Sequence, residues 1–272
     1  MRFLLLCGAA GVGCLAQTAS AQQALFTDAA TQPSENVLLL RQLGQLDVYD
    51  GPDGDVTDTT YTASLFYGVT ESFSLSARLP VRYRSGDGAY DDAFGIDDVH
   101  LMAKWRPWQN DFGPLDTARF ALFGGASVPV GDEAFTSDSL DPMVGGVFTL
   151  ITGRSGVNVA AQWRFNSGDR DERFVTFGSG PFDSGRLDAN YVYRLWPGAF
   201  NAANSGGGWY GFVEANLEYE TSGDAALFLA PGIMYEGSDI ALEAGLRVPV
   251  FSDVTRRPEE EFAIALGVRL FL

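Results

Sequence analysis

Charged residues recur at matching parity in several stretches of this chain, and they are the side chains with chemistry to offer. Arg78, Arg82 and Arg84 share one parity, as do Lys104 and Arg106. Arg164, Arg194 and Arg247 stand in three later stretches. Glu214, Glu218 and Glu220 fall in register with one another, and Glu243 precedes Arg247 in one stretch. On one face of a wall, such residues form a basic ladder with an acidic wall opposite. That arrangement orients polar solutes and selects what passes. The competing reading is that the charges pair and fill a narrow space, because a lone buried charge is costly.

Catalysis finds little support. His100 is the chain's only histidine, so it alone is a side chain that titrates near neutral pH when unperturbed. A lipase-like centre needs a serine within reach of that histidine and a third group to orient it. His100-Leu101-Met102 carries no serine motif of that kind, so His100 reads as an ordinary wall residue and the protein as no enzyme. Asp47, Asp50, Asp53, Asp55 and Asp58 are dense, as are Asp169, Asp171 and Glu172, but neither set has the spacing of a calcium loop. They read as solvated loops, with weak divalent bridging to lipopolysaccharide as the alternative. Gly206-Gly207-Gly208 precedes a strand pattern and is no phosphate loop. No cofactor and no metal site is expected.

The elements that position these charges alternate with period two. Phe262, Ile264, Leu266, Val268, Leu270 and Leu272 form one face of the last strand, and Ala263, Ala265, Gly267, Arg269 and Phe271 the other. Phe73, Leu75, Ala77, Leu79, Val81 and Tyr83 likewise oppose Arg78, Arg82 and Arg84. Strands are expected at 37–49, 57–69, 72–84, 96–108, 117–130, 143–151, 156–167, 186–196, 208–221, 225–235, 239–250 and 260–272. The first is interrupted by Arg41 and Gln42. A soluble sandwich also alternates. Here aromatics such as Tyr83, Trp105, Trp163, Trp196, Trp209 and Tyr219 lie near strand ends, where membrane barrels carry interfacial girdles.

Composition agrees. The net charge of −17 argues against a nucleic-acid partner, which demands basic patches. Apolar content of 46% argues against disorder. Arg2, the apolar run 3–15 and Ala19-Ser20-Ala21 read as a signal peptide over 1–21, leaving 22–272 as the barrel. Gly13-Cys14 offers a lipoprotein cut instead, with Gly11 where a branched apolar residue is wanted. Both cysteines, Cys7 and Cys14, fall within that leader, so the remainder has no disulfide framework. No later run suits a membrane helix, which needs about 20 apolar residues. A closed barrel is the other way to satisfy a backbone in lipid.

Connections sort by parity. Those at 69–72, 152–155 and 236–239 are short; those at 49–58, 86–92, 131–141, 168–185 and 252–261 are mostly longer and acidic. Short turns face the periplasm and long loops the exterior. The fold class is therefore all-β: a transmembrane, antiparallel, up-and-down β-barrel of about 12 strands in the cell outer membrane. Its expected partners are outer-membrane lipid and lipopolysaccharide, the barrel-insertion machinery and a small-molecule solute. A structural or adhesive barrel without transport is the alternative.

Three segments carry a family resemblance. Residues 67–75, Tyr-Gly-Val-Thr-Glu-Ser-Phe-Ser-Leu, resemble the "YG(L/V)T(E/D)xxSL" hairpin of outer-membrane proteins linked to the MetA pathway of phenol degradation. Residues 94–106 resemble that family's "GxGDxxLxxKYR" strand, with Ile96-Asp97 where Gly-Asp is usual. Residues 124–132, ending Val128-Pro129-Val130-Gly131-Asp132, resemble its "GxxxPTGD" segment, with Val130 for Thr. The resemblance implies a transporter barrel for small molecules, aromatic or hydrophobic ones included.

Overall fold

Successive side chains of a strand point to opposite faces, so alternating strands build a sheet with one apolar and one polar face. Closing that sheet on itself leaves no unpaired edge. The computed structural model describes residues 24–51, 54–87, 90–168, 176–200 and 206–272. The expected leader over 1–21, with Cys7 and Cys14, lies outside the described residues, as do Asp53, Asp169, Asp171 and Glu172.

The strands are β1 (Leu38–Asp50), β2 (Val56–Thr70), β3 (Phe73–Gly86), β4 (Ala93–Ile96), β5 (Val99–Asp111), β6 (Thr117–Val128) and β7 (Asp141–Thr152). There follow β8 (Ser155–Arg164), β9 (Ser184–Trp196), β10 (Gly207–Glu220), β11 (Ala225–Gly237), β12 (Ile240–Asp253) and β13 (Glu259–Phe271). All pairings are antiparallel, and β1 joins β13 to close the sheet. Both β4 and β5 pair with β3, so they form one stave with a break at Asp97 and Asp98. The molecule is a closed antiparallel barrel of 12 staves, as the alternation implies.

The break corrects the expectation of one strand over 96–108. Asp98 turns away from the ladder and accepts the Gly131 N–H at 3.2 Å, the Ser137 N–H at 2.9 Å and the Ser137 hydroxyl at 2.8 Å. Asp97 turns to Arg82, 3.1 Å away. β8 stops at Arg164, short of the expected 167. Beyond it the Asn166 amide donates to the carbonyls of Gly178, Gly180 and Phe182. The doubtful first strand runs unbroken. Arg41 faces inward, and Gln42, with its side chain turned outward, accepts a hydrogen bond from the Tyr61 hydroxyl.

A stave such as β1 has 13 residues. At about 3.3 Å per residue and a tilt near 40°, that crosses an apolar band roughly 25–30 Å tall. The outer face supplies the band: Leu75, Leu79, Leu101, Val144, Leu187, Leu242, Ile264 and Leu266 are all exposed. Exposed aromatics rim it at both ends, with Trp105, Trp196 and Trp209 at one and Tyr83, Phe165 and Tyr219 at the other. The first and last residues of the wall, Leu38 and Phe271, share a rim with the connections 71–72, 112–116, 153–154 and 238–239 and with Pro197 and Gly206. The opposite rim carries, among the described residues, 54–55, 90–92, 129–140, 165–168, 176–183, 221–224 and 254–258. By the usual rule for such barrels, the second rim faces the exterior.

Residues 24–37 are not part of the wall. The expectation of a barrel over 22–272 did not foresee that this segment lies inside it.

Candidate functional site: the barrel lumen

The inner segment, here termed the strap, begins deep in the barrel and leaves by the rim that holds the chain ends. Glu214, 0% exposed, projects from β10 and collects its backbone. The carboxylate accepts N–H bonds from Leu25 at 2.9 Å, Phe26 at 3.0 Å and Thr27 at 2.7 Å. Arg41 from β1 donates to the Leu25 carbonyl at 3.0 Å. Lys104 from β5 donates to the Ala29 carbonyl at 2.9 Å, and the Ala30 N–H donates to the Thr149 hydroxyl at 2.8 Å. A strap without regular structure has orphan backbone groups, and buried ones must find partners. The wall supplies them.

Packing completes the fit. Leu25 lies among Val192, Phe212, Met234 and Ala265, while Ala30 lies among Ala121, Phe123, Val147 and Ala160. The strap thus runs along the lumen from the side of β9–β13 to that of β6–β8. Glycine makes room at two crossings. A Cβ at Gly245 would come within 2.6 Å of Leu25 Cδ1, and one at Gly68 within 2.0 Å of the Ser34 carbonyl oxygen.

The wall charges pair with partners on the same stave or within two staves, and with the strap. Arg82 binds Asp58 and Asp97; Arg164 binds Asp141 at 3.0 Å. Arg247 binds Glu218 at 3.1 Å and Glu260 through its Nε at 2.9 Å, and its guanidinium lies 4.0 Å from the Phe228 ring centre. Glu243 joins Arg41 at 3.2 Å and Arg269 at 3.0 Å. Arg186 joins Asp188 at 3.3 Å, and Arg78 reaches Asp28 of the strap at 3.4 Å.

Of the two readings the sequence left open, this interleaving fits charges that pair and fill the lumen, and not a basic ladder with an opposed acidic wall. In a narrow, low-dielectric lumen each charge is stabilised by its nearest opposite, and cross-strand register brings those opposites together. The reading of the acidic cluster near residue 50 is corrected. Asp47 and Asp58 are cross-strand partners buried inside the barrel, with Asp47 receiving the Gln45 amide at 2.6 Å.

Besides a space of about 160 Å³ beside Glu218, Arg247 and Glu260, two spaces lie against the strap. The larger, about 380 Å³, lies against the strap at Leu25, Phe26, Thr27 and Asp28. The smaller, about 50 Å³, lies against the strap from Asp28 to Val37. Of the anticipated residues, Arg78, Arg82, Arg164 and Arg247 line the larger space, and Arg78 and Lys104 the smaller. His100 faces the larger one, as the alternation places it. Glu218 lies behind Arg247, and Glu214 and Glu243 anchor the strap and its neighbouring arginines.

Arg84, Arg106 and Arg194 sit at the rims instead. Arg84 donates to the Asp91 carbonyl and lies over the Phe135 ring; Arg106 donates to the Glu71 carbonyl. Arg194 donates to the Gly153 carbonyl and lies 4.5 Å from the Phe200 ring centre. Reasoning from sequence missed Asp28, Arg41 and Arg186 as lumen residues. The parity of β1 and β9 was signal enough for the two arginines; nothing in the sequence singled out Asp28.

Two of the segments that carry the family resemblance meet at the exterior rim. Ile96 N–H donates to the Asp132 carboxylate at 2.6 Å, Asp132 N–H donates back to the Ile96 carbonyl at 2.8 Å, and Asp98 holds Gly131. These motif residues therefore fix the broken stave to the 129–140 connection.

No protein-family model and no curated protein matches the chain. Solved structures do. An outer membrane channel from Pseudomonas putida F1 aligns over 92% of this chain and 100% of its own, with a TM-score of 0.65 and 13% identity. The β domain of the Bordetella autotransporter BrkA aligns over 87% of this chain and 99% of its own, with a TM-score of 0.51 and 13% identity. At such identity the likeness is one of fold, and one fold serves several functions. The closed 12-stave wall, its apolar outer band and these likenesses agree: the protein is an outer-membrane β-barrel.

Proposed function

We propose that the protein is an outer-membrane channel for small molecules whose lumen is narrowed by its own strap. The observation that carries this reading is the lumen itself: a space of about 380 Å³ bounded by a segment held without covalent bonds. That volume suits a small ligand, since such pockets run from about 300 to 1,000 Å³. The wall residues Arg78, Arg82, Arg164 and Arg247 act as its lining, with Glu218 behind Arg247 and Lys104 in the smaller space. The similarity to a channel supports passage, and the resemblance to the phenol-degradation proteins supports aromatic or hydrophobic solutes. Lipopolysaccharide at the outer rim and the insertion machinery complete its expected partners.

A structural or adhesive barrel is the second reading, favoured by the likeness to an autotransporter β domain. Planar-bilayer recording separates the two. The intact protein should give small discrete conductance steps, and deletion of residues 24–33 should raise them severalfold while the barrel stays folded. A barrel that seals the bilayer with or without the strap would refute the channel.

A further inference from the structure

The chain carries 18 Lys and Arg against 35 Asp and Glu, yet the larger lumenal space reverses that balance. Six arginines line it: Arg41, Arg78, Arg82, Arg164, Arg186 and Arg247. Only three carboxylates do so: Asp28, Asp97 and Asp188. The other partner acids, Asp58, Asp141, Glu218, Glu243 and Glu260, are absent from that lining. They hold the guanidinium groups from behind, so what the space meets is mainly arginine.

The two lumenal spaces share five lining residues: Asp28, Arg41, Phe66, Arg78 and Met102. The smaller space then adds Lys104 and Arg269, so the basic track continues past the strap. Asp28 sits at that junction and belongs to the strap, not the wall. Its carboxylate is 3.4 Å from Arg78, long for a charge-assisted bond, which is usually about 2.7–2.9 Å. Lys104, Arg78, Arg186 and Arg41 all act on its charge. Beside it, Arg78 stacks over the Phe66 ring at 5.9 Å.

We infer that this junction is a binding site for small organic anions, and that Asp28 is its built-in competitor. The ligand class is a carboxylate with a compact apolar body. Its carboxylate takes the place of Asp28 at Arg78, with Arg41 also lining the junction, and its body lies against Phe66 and Met102. The exchange is one carboxylate for another, so no buried guanidinium is left uncompensated, the outcome that would be expensive. Asp28 leaving Arg78 removes one of the strap's ties to the wall, beside those of Glu214, Lys104 and Thr149, and so couples anion binding to a looser strap. A neutral molecule of the same shape has no such lever.

The consequence for transport rests on the channel reading, but the site is testable without transport. Equilibrium binding of 4-fluorobenzoate to the full chain in detergent micelles is followed by fluorine NMR, with 4-fluorobenzyl alcohol and inorganic phosphate as controls. Fluorobenzoate should bind more tightly than either control. Arg78→Gln should weaken it about tenfold, the scale of one charged hydrogen bond. Asp28→Asn lies in the strap and leaves every wall residue intact; it should tighten binding severalfold. Equal binding of the alcohol would overturn anion recognition, and equal binding of phosphate would overturn the apolar pocket. Unchanged or weaker binding by Asp28→Asn would overturn the competition. Bilayers that stay sealed while fluorobenzoate binds would sink the channel and leave the site standing.

Discussion

Glu243 lies between Arg41 and Arg269, its side chain withdrawn from solvent, and pairs with both. Removing one member of a buried ion group strands its partners, which typically costs about 3–5 kcal/mol. Glu243→Ala should therefore lower barrel stability by about that amount in urea titrations in detergent. A change below about 1 kcal/mol would mean that water reaches the pair and screens it as at a surface. The inward direction of Glu243 and Arg247 could be read from the alternation of β12. Their partners could not, because Arg41 is some 200 positions away in the chain and meets Glu243 only when the barrel closes.

At the scale of elements, the staves and the strap obey different rules. A stave is specified by period two, and its outer row is solvated by lipid. Leu266 is 62% exposed on β13, beside Gly44 of β1 and Ala244 of β12, near the middle of the wall. Leu266→Arg should destabilise the barrel by about 2–4 kcal/mol, the cost of an arginine on the lipid face at mid-depth. The measurement is the unfolding free energy in lipid vesicles; an unchanged value would place this row outside the apolar band. The strap has no period. Its small Ala24, Ala29 and Ala30 and its Pro33 read as a polar-neutral lead-in, and nothing in them announces burial. The matching signal sits elsewhere, in Glu214 and in the space left at Gly245, and only three dimensions bring these together.

For the whole molecule, the exterior rim is tied by charge. Asp224, in the 221–224 connection, accepts the Thr255 N–H at 2.9 Å and hydroxyl at 3.1 Å and faces Arg257 at 3.2 Å. Arg257 also binds Glu220, and Arg256 stacks over Phe182. Burial pushes the Asp224 carboxyl up, but the Thr255 bonds and Arg257 outweigh it and hold the group below the ordinary aspartate range. A depressed value means that the latch is fully formed above the ordinary aspartate pKa of about 3.9 and weakens as pH falls through the lower folded value. Proteolytic cutting in the 254–258 connection should accelerate below about pH 4 in the native protein. In Asp224→Asn that acceleration should be lost, with cutting already fast at neutral pH. A flat profile in the native protein would discard the latch.

Alternation, turn parity and the lack of a membrane helix were enough to set the class, the count of staves and the face each charge takes, because a two-residue period admits one inward set per strand. They also placed the acidic connections on one rim. The tertiary structure decided three things. It broke the fourth stave at Asp97 and Asp98, where loop donors out of sequence reach win over the ladder. It paired the charges locally across staves in place of two opposed walls, since closure fixes which side chains are neighbours. It folded residues 24–37 into the lumen, because a barrel this narrow must fill its interior and the strap's backbone finds its partners there.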